Sequence, residues 1–215
     1  MQKYENDVFS LVDENVPVPG CTISGEILPG ITCFSLAEGT SISAESYPVS
    51  VVQYVLSGET LLKEHDKSNV IPVRSGETII KEAGRDIGIK AEKDTVYVEI
   101  PMKGDSGTMN GLNAGEVFKF TDLVPYQDGK IISRNVVDEE KTKLALMSFD
   151  AGTGLQEHAA PGEAIIFALD GEGIIGYEGQ EHVIHAGENF HFAKGGKHYV
   201  KAEGHFKMVL LLVLD

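Results

Sequence analysis

The histidines are the residues of this chain with the widest range of possible chemistry, because an imidazole can bind a metal or carry a proton near neutral pH. The sequence contains no P-loop, no HExxH and no GxSxG motif to fix a reaction class. The glycines of Gly152-x-Gly154 and Gly171-x-Gly173 precede no predicted helix, so we assign them to turns rather than to phosphate binding. Cys21 and Cys33 are too few for a disulfide framework and are interpreted as reduced thiols.

The two halves of the chain repeat one frame. Gly39-x5-Glu45-x-Tyr47-Pro48-x9-Gly58-Glu59 has the spacing of Gly152-x5-His158-x-Ala160-Pro161-x9-Gly171-Glu172, at an offset of 113 residues. Gly76-Glu77 and Lys90-Ala91-Glu92 recur as Gly187-Glu188 and Lys201-Ala202-Glu203, at an offset of 111. The repeat predicts two similar domains, residues 1–101 and 116–215, joined by a glycine-rich linker over residues 102–115.

Short runs rich in β-branched and aromatic residues lie between turn signals, which is typical of strands closing into a barrel or sandwich. The turn signals include Pro29-Gly30, Ser57-Gly58, Asp170-Gly171 and Glu178-Gly179. The predicted strands are Val49–Leu56, Glu77–Ile80, Val96–Ile100, Ile131–Val137, Leu144–Phe149, Ala164–Leu169, Gly173–Tyr177 and Phe206–Leu214. The fold class is therefore predicted to be all-β.

Two motifs in the second half resemble those of the cupin family, roughly G-x5-H-x-H-x3,4-E-x6-G and G-x5-P-x-G-x2-H. They are Gly152-x5-His158-x-Ala160-x3-Ala164-x6-Gly171 and Gly187-x5-Ala193-x-Gly195-x2-His198. The resemblance implies a bicupin of two tandem jelly-roll barrels with a degenerate N-terminal copy. In the family, three histidines and a glutamate bind one metal. His158 and His198 match two of these positions, while Ala160 and Ala164 occupy the other two.

The resemblance leaves two functions open. In the first, a metal-dependent enzyme acts on a small oxygenated molecule such as a sugar acid or keto acid. His158 and His198 would bind Fe, Mn, Ni or Zn, and Gln156 and Glu163 would complete the ligand set. Glu163 could instead act as a general base, and Tyr199 or His191 could donate a proton at the rim. An alternative register takes Gln156 and His158 as the paired positions, followed by Glu163.

In the second, the same barrel binds a small molecule without metal, as a binding or sensory module. Phe167, Phe190 and Phe192 would supply apolar walls, and the alanines at positions 160 and 164 would make room. A structural role is a third alternative. His65, His182, His185 and His205 are interpreted as solvated surface residues.

The N-terminal half has no histidine at the matching positions. These positions hold Glu45, Tyr47, Val51 and Ile87. The valine and isoleucine favour a packed or apolar barrel without metal, although Glu45 and Tyr47 could orient a small ligand by hydrogen bonds.

Charge and composition limit the partners. With 18 basic and 33 acidic residues the formal net charge is −15, which disfavours nucleic acid and anionic membrane. Met1–Val18 lacks the apolar core of a secretory signal, so we expect a cytoplasmic protein. The apolar run Met208–Leu214 is too short to span a bilayer and is interpreted as a buried strand. Because exposed barrel edges pair readily and members of the cupin family often dimerise, we expect a homodimer. The expected partner is a small-molecule ligand.

Overall fold

The computed structural model describes residues 7–65, 68–102, 108–109 and 111–214. Helix in this part of the chain is confined to α1, Leu11–Glu14, and a 3₁₀ turn over Phe120–Leu123. No helix among these residues is long or apolar enough to cross a membrane. The all-β prediction is confirmed.

The chain divides into two compact units. Among the described residues, the first unit comprises Leu11–Lys119, and the second comprises residues 120–214 together with residues 7–10. The predicted linker at residues 102–115 stays a prediction, because 103–107 and 110 lie outside the described residues. The strands up to this boundary are β1 Val8–Phe9, β2 Thr22–Leu28, β3 Ile31–Leu36, β4 Ser41–Ser46, β5 Ser50–Ser57, β6 Glu59–Glu64, β7 Val70–Arg74, β8 Glu77–Lys81, β9 Asp86–Ala91, β10 Thr95–Met102, β11 Thr108–Met109, β12 Leu112–Asn113 and β13 Val117–Lys119.

The first unit contains two larger antiparallel sheets. One has the order β13-β8-β5-β10-β3-β2 and the other has the order β4-β9-β6-β7. Side chains on a strand alternate between faces, so each sheet turns every second residue toward the other. The buried cluster that joins the sheets consists of Leu36, Val55, Leu62, Val73, Ile79, Ile89, Ala91 and Tyr97. We call the space around this cluster the N-terminal lumen.

The strands of the second unit are β14 Ile131–Asp138, β15 Thr142–Phe149, β16 Gly154–Ala159, β17 Glu163–Tyr177, β18 Gln180–His185, β19 Asn189–Phe192, β20 Lys197–Lys201 and β21 Phe206–Val213. The order β1-β19-β17-β21-β15-β14 forms one layer. The second half of β17 leaves this layer and pairs with β18 and β20, and β20 pairs with β16. Because β17 belongs to both layers, it contributes residues to the core from each of them.

One predicted turn is wrong. Asp170-Gly171 lies inside the continuous strand β17, where the pairing with β21 shifts register between Ala168 and Asp170. Gly171 has a positive φ of 73°, and a Cβ there would lie 1.9 Å from the carbonyl oxygen of His205. Glycine is therefore required for a β-bulge, which bends the strand from one layer to the other, rather than for a chain reversal.

The core of the second unit lies between its two layers. Its aromatic members include Phe190, Phe192 and Tyr177, all 5% exposed or less. The full cluster consists of Phe149, Ala160, Ala164, Ile166, Ala168, Ile175, Tyr177, Ile184, Phe190, Phe192, Val200, Ala202, Phe206, Met208 and Leu212. We call the space around it the C-terminal lumen.

Candidate functional site

His158 and His198 are direct neighbours across the β16–β20 pair. Their ring centroids are 4.2 Å apart and the rings are inclined by 53°. The close approach of the strands depends on Gly154, because a Cβ there would lie 2.7 Å from the carbonyl oxygen of Val200. Residues 40 positions apart (198 − 158) in the sequence therefore form one imidazole pair.

The backbone sets the proton positions of both rings. Nδ1 of His158 lies 2.9 Å from the carbonyl oxygen of Gln156, and Nδ1 of His198 lies 3.2 Å from that of Gly196. A carbonyl oxygen only accepts hydrogen bonds, so each neutral ring donates from Nδ1 and keeps the lone pair on Nε2. Both histidines therefore present an acceptor nitrogen.

His198 is the buried member of the pair, at 6% exposure, while His158 is exposed. The ring of Phe192 stacks on His198, with centroids 4.1 Å apart and an inclination of 23°. Burial lowers the pKa of His198 below its usual 6.5, and His158 lowers it further, against the opposing hydrogen bond to Gly196. His198 is therefore neutral at neutral pH.

An aromatic wall continues from His198 into the lumen. Phe192 contacts Phe190 with centroids 5.1 Å apart, and Tyr177 contacts both rings at 5.6 and 5.5 Å. Tyr177 is also the register partner of His198 across β17 and β20. Ala160 and Ala164 belong to the same buried cluster, so the structure brings both alanines to the lumen with the predicted walls Phe190 and Phe192.

Two further residues of this lumen, Tyr177 and His182, are not among the predicted site residues. His182 was interpreted as solvated, but it is half-buried, and its ring lies 5.1 Å from Phe190. Its Nε2 is buried without a hydrogen-bond partner among the described residues. The alternation of His182 with the buried Ile184 along β18 was the signal that could have placed it inside.

Glu163 and His191 do not join the histidine pair. They lie on β17 and β19, with Oε2 of Glu163 3.6 Å from Nε2 of His191. Ala164 and Phe192 face the lumen, so strand alternation turns their sequence neighbours Glu163 and His191 to the opposite face. Phe167 alternates with the core residues Ile166 and Ala168, and the same rule places it outside the lumen.

Gln156 and Tyr199 are also placed differently from the expectation. A bulge between Leu155 and His158 breaks the alternation of β16, so the spacing of two residues from Gln156 to His158 does not put both side chains on one face. Tyr199 follows His198 and turns away from the lumen. Its hydroxyl donates to Glu181 at 2.5 Å, and the ring lies 4.4 Å below Nζ of Lys201.

The donor set of the C-terminal lumen does not fit a resident mononuclear metal. Such a site generally needs three or four protein ligands. His158 and His198 supply two imidazoles, and the alanines at 160 and 164 supply none. The described residues contain no group of three or more His, Cys, Asp or Glu side chains arranged to hold a metal. The arrangement supports hydrogen bonding to a ligand better than it supports Fe, Mn, Ni or Zn.

The N-terminal lumen departs from the expectation of an apolar interior. Val51 is buried, and Ile87 packs against the core cluster, as the sequence implied. However, Lys81 and Glu99 form a buried ion pair, with 3% and 6% of each side chain exposed and 2.5 Å between Nζ and Oε1. The sequence repeat did not reveal this pair, because neither residue occupies a position matched to the family motifs.

Comparisons with known proteins agree with this architecture. Residues 145–214 match the family described as Cupin domain. The structure is similar to a Cupin 2 conserved barrel domain protein from Leptotrichia buccalis, with TM-score 0.85, 28% identity and 97% of each chain covered. None of the curated proteins matches the chain.

Two structures of lower identity share the fold. A salicylate 1,2-dioxygenase from Pseudaminobacter salicylatoxidans matches with TM-score 0.66 and 11% identity over 94% of this chain and 79% of that one. An oxalate decarboxylase mutant from Bacillus subtilis matches with TM-score 0.56 and 12% identity over 100% of this chain and 79% of that one. The comparisons thus show an all-β cupin jelly-roll fold, and the match to the family model covers residues 145–214.

Proposed function

We propose that the second unit binds a small, uncharged, hydroxylated molecule in the C-terminal lumen without a resident metal. The observation that carries the proposal is the His158–His198 pair, because both rings direct their protons at backbone carbonyls and leave Nε2 to accept hydrogen bonds. A hydroxyl group is the complementary donor.

The aromatic wall defines the remainder of the ligand. Phe192 stacks on His198, and Tyr177 and Phe190 extend the apolar surface. Such a wall favours a ring or the apolar face of a sugar. Ala160 and Ala164, buried in the same cluster, add apolar surface and no metal ligand. A carboxylate offers only acceptors, so it is not complementary to two imidazoles that present acceptor nitrogens.

The proposal is tested by calorimetric titration of the full chain with phenol, D-xylose and benzoate at a pH where His198 is neutral. We expect phenol or xylose to bind, and benzoate to bind at least roughly tenfold more weakly because its carboxylate cannot donate. His158→Ala/His198→Ala should abolish the binding, whereas the exposed His185→Gln serves as the control. Equal affinity for benzoate, or unchanged binding in the double variant, would overturn the proposal.

The alternative, in which the chain is a metal-dependent enzyme, predicts a different result. Elemental analysis of the protein as purified and after reconstitution should then give a stoichiometric metal that the double histidine variant loses. We expect substoichiometric metal in both proteins. A stoichiometric metal that depends on His158 and His198 would contradict the metal-free binding module and favour a metal centre.

We also propose that the first unit is a degenerate second cupin barrel, which makes the chain a bicupin, and that the chain forms a cytoplasmic homodimer. The sequence repeat and the paired sheets of each unit support the bicupin. Light scattering after size-exclusion chromatography tests the dimer, and a monomeric mass at all concentrations would contradict it.

A further inference from the structure

Strand β2 lies at an open edge of the six-stranded sheet of the first unit. Among the described residues it pairs with β3 alone, so one side of its backbone has no neighbouring strand. Thr22, Ile23 and Ser24 are exposed, and 42% of Ile23 is accessible to solvent. The register with β3 is regular from Thr22 to Glu26 and shifts between Glu26 and Leu28. Such an edge presents backbone N–H and C=O groups that can pair with another strand.

The other outer strands of the two larger sheets of this unit are less suited to pairing. β13, at the opposite end of the same sheet, has three residues. β7 contains Pro72, which has no N–H to donate. The pairing of β4 with β9 shifts register between Ile42 and Glu45. Among these four outer strands, β2 therefore offers the longest uninterrupted edge.

The second unit provides a matched comparison in β14, the outer strand that pairs with β15. Gly25 pairs with Cys33, and Arg134 pairs with Leu146, which lies 113 residues after Cys33 (146 − 33 = 113). Arg134 therefore occupies the position on β14 that Gly25 occupies on β2. A charged side chain near the middle of an edge strand opposes pairing with a further strand. β14 carries this protection, and β2 lacks it.

We propose that β2 pairs antiparallel with β2 of a second copy of this chain, around a two-fold axis at Ser24. The proposal rests on the homodimer proposed above and assigns its interface. The regular segment runs from Thr22 to Glu26, so an axis at its middle residue pairs the whole segment. Ile23 then lies opposite Gly25 of the second copy, where glycine has no side chain to compete for the space. Both copies use the same edge, so the pairing closes and leaves it unavailable to a third chain.

The charge pattern of β2 is compatible with this self-pairing. Glu26 lies at the end of the segment, opposite Thr22 of the second copy. The two Glu26 residues are thus four strand positions apart, about 13 Å, which exceeds the Debye length of about 8 Å at physiological ionic strength. The Glu26 carboxylate also accepts a hydrogen bond from the N–H of Gly30 in its own chain at 2.5 Å. The same pairing on β14 would bring two Arg134 side chains to diagonal positions about 7–8 Å apart, where they repel.

Ser24→Cys places a thiol beside the two-fold axis and tests the register. Opposite Cα atoms of an antiparallel pair are about 4.5–5.5 Å apart, within the range that a disulfide bridges. The variant is made in the full chain carrying Cys21→Ser, because Cys21 is exposed whereas Cys33 is buried. On oxidation with copper phenanthroline we expect a covalent dimer on a non-reducing gel. Ser133→Cys in the same background, exposed at the corresponding position of β14, should remain uncross-linked.

Ile23→Lys tests the same edge without a cross-link, because it puts two like charges at diagonal positions of the paired strands. We expect the dissociation constant of the dimer, measured by sedimentation equilibrium, to rise at least roughly tenfold. Val183→Lys is the matched control, since Val183 is 48% exposed in the second unit, and it should leave the constant unchanged.

The outcomes separate the interface from the homodimer itself. A wild type that is monomeric at all concentrations would overturn both. A dimer that persists in Ile23→Lys, that dissociates in Val183→Lys, or that forms without a cross-link in Ser24→Cys would overturn the β2 interface and leave the homodimer standing.

Discussion

Replacing Lys81 and Glu99 singly and together tests the buried ion pair of the first unit. Lys81→Met leaves the Glu99 carboxylate, 6% exposed, without its cation, and Glu99→Leu leaves the ammonium, 3% exposed, without its anion. Removing one partner of a buried pair costs about 3–5 kcal/mol, since the other charge stays desolvated. Lys81→Met/Glu99→Leu leaves neither charge, so we expect its free energy of unfolding to lie within about 1 kcal/mol of the wild type.

The pair Lys90–Glu92 provides a matched control in the same unit. Its N···O distance is 2.6 Å, against 2.5 Å for the buried pair, but 55% and 38% of its side chains are exposed. An exposed pair contributes about 0.2–1 kcal/mol, so Lys90→Met should cost no more than that. The two pairs differ mainly in burial, which makes their difference a measure of desolvation.

Urea unfolding, followed by circular dichroism and by the methyl signal of Ile79 as a local probe of the first unit, gives the free energies. The local probe is needed because two units can unfold in separate transitions. If Lys81→Met costs no more than Lys90→Met, the charges of the lumen are solvated and the argument from burial is wrong. A double variant as unstable as the sum of the single ones would refute it equally.

Two further predictions concern the second unit. Because burial lowers the pKa of His198 in the folded state below 6.5, the unfolded chain takes up the proton more readily. The wild type should therefore lose stability as the pH falls from 6.5 through the folded-state pKa of His198, and His198→Gln should lose less. Melting temperatures of the two proteins that fall in parallel with pH would contradict this prediction. Gly171→Ala should cost more than about 2 kcal/mol, since a Cβ would overlap the carbonyl of His205 at 1.9 Å, whereas Gly179→Ala, with φ +82° and open space, should cost about 1 kcal/mol. Equal melting temperatures for the two glycine variants would refute the requirement at the bulge.

Strand positions could be predicted from the sequence because local rules determine them. Alternation and turn residues predicted runs such as Leu144–Phe149 and Phe206–Leu214, and the structure contains Thr142–Phe149 and Phe206–Val213. Cys33, interpreted as a reduced thiol, is free and buried, and burial raises its pKa to about 12. The resemblance of two motifs to those of the cupin family also selected His158 and His198, which the structure places side by side.

Side-chain direction could not be predicted wherever the register shifts. A single extra residue near Gln156 breaks the alternation of β16, and nothing in the residue types at that point marks a bulge. Glu163 lies away from the His158–His198 pair for a simpler reason. It lies one residue from the matching position, and one residue on a strand means the opposite face.

Lys81 and Glu99 show a second limit of sequence reasoning. They lie on β8 and β10, which are both neighbours of β5, so their contact depends on two strand registers rather than on spacing along the chain. A lysine in a run such as Glu77–Lys81 is ordinarily solvated. The pairing of Lys81 with Val51 and of Glu99 with Gln53, both on β5, is what directs the two side chains toward the same interior.

The repeat explains how one frame can produce two lumens of different chemistry. At the offset of 111 residues, Lys81 corresponds to Phe192 (192 − 111 = 81), so an ammonium in the first unit stands where an aromatic ring stacks on His198 in the second. An ammonium cannot line an apolar wall without a counter-charge, and Glu99 supplies it. A phenylalanine needs no such partner and instead covers a neutral imidazole. Each lumen is therefore consistent within itself, so exchanging Lys81 and Phe192 alone would leave a charge unpaired in both units.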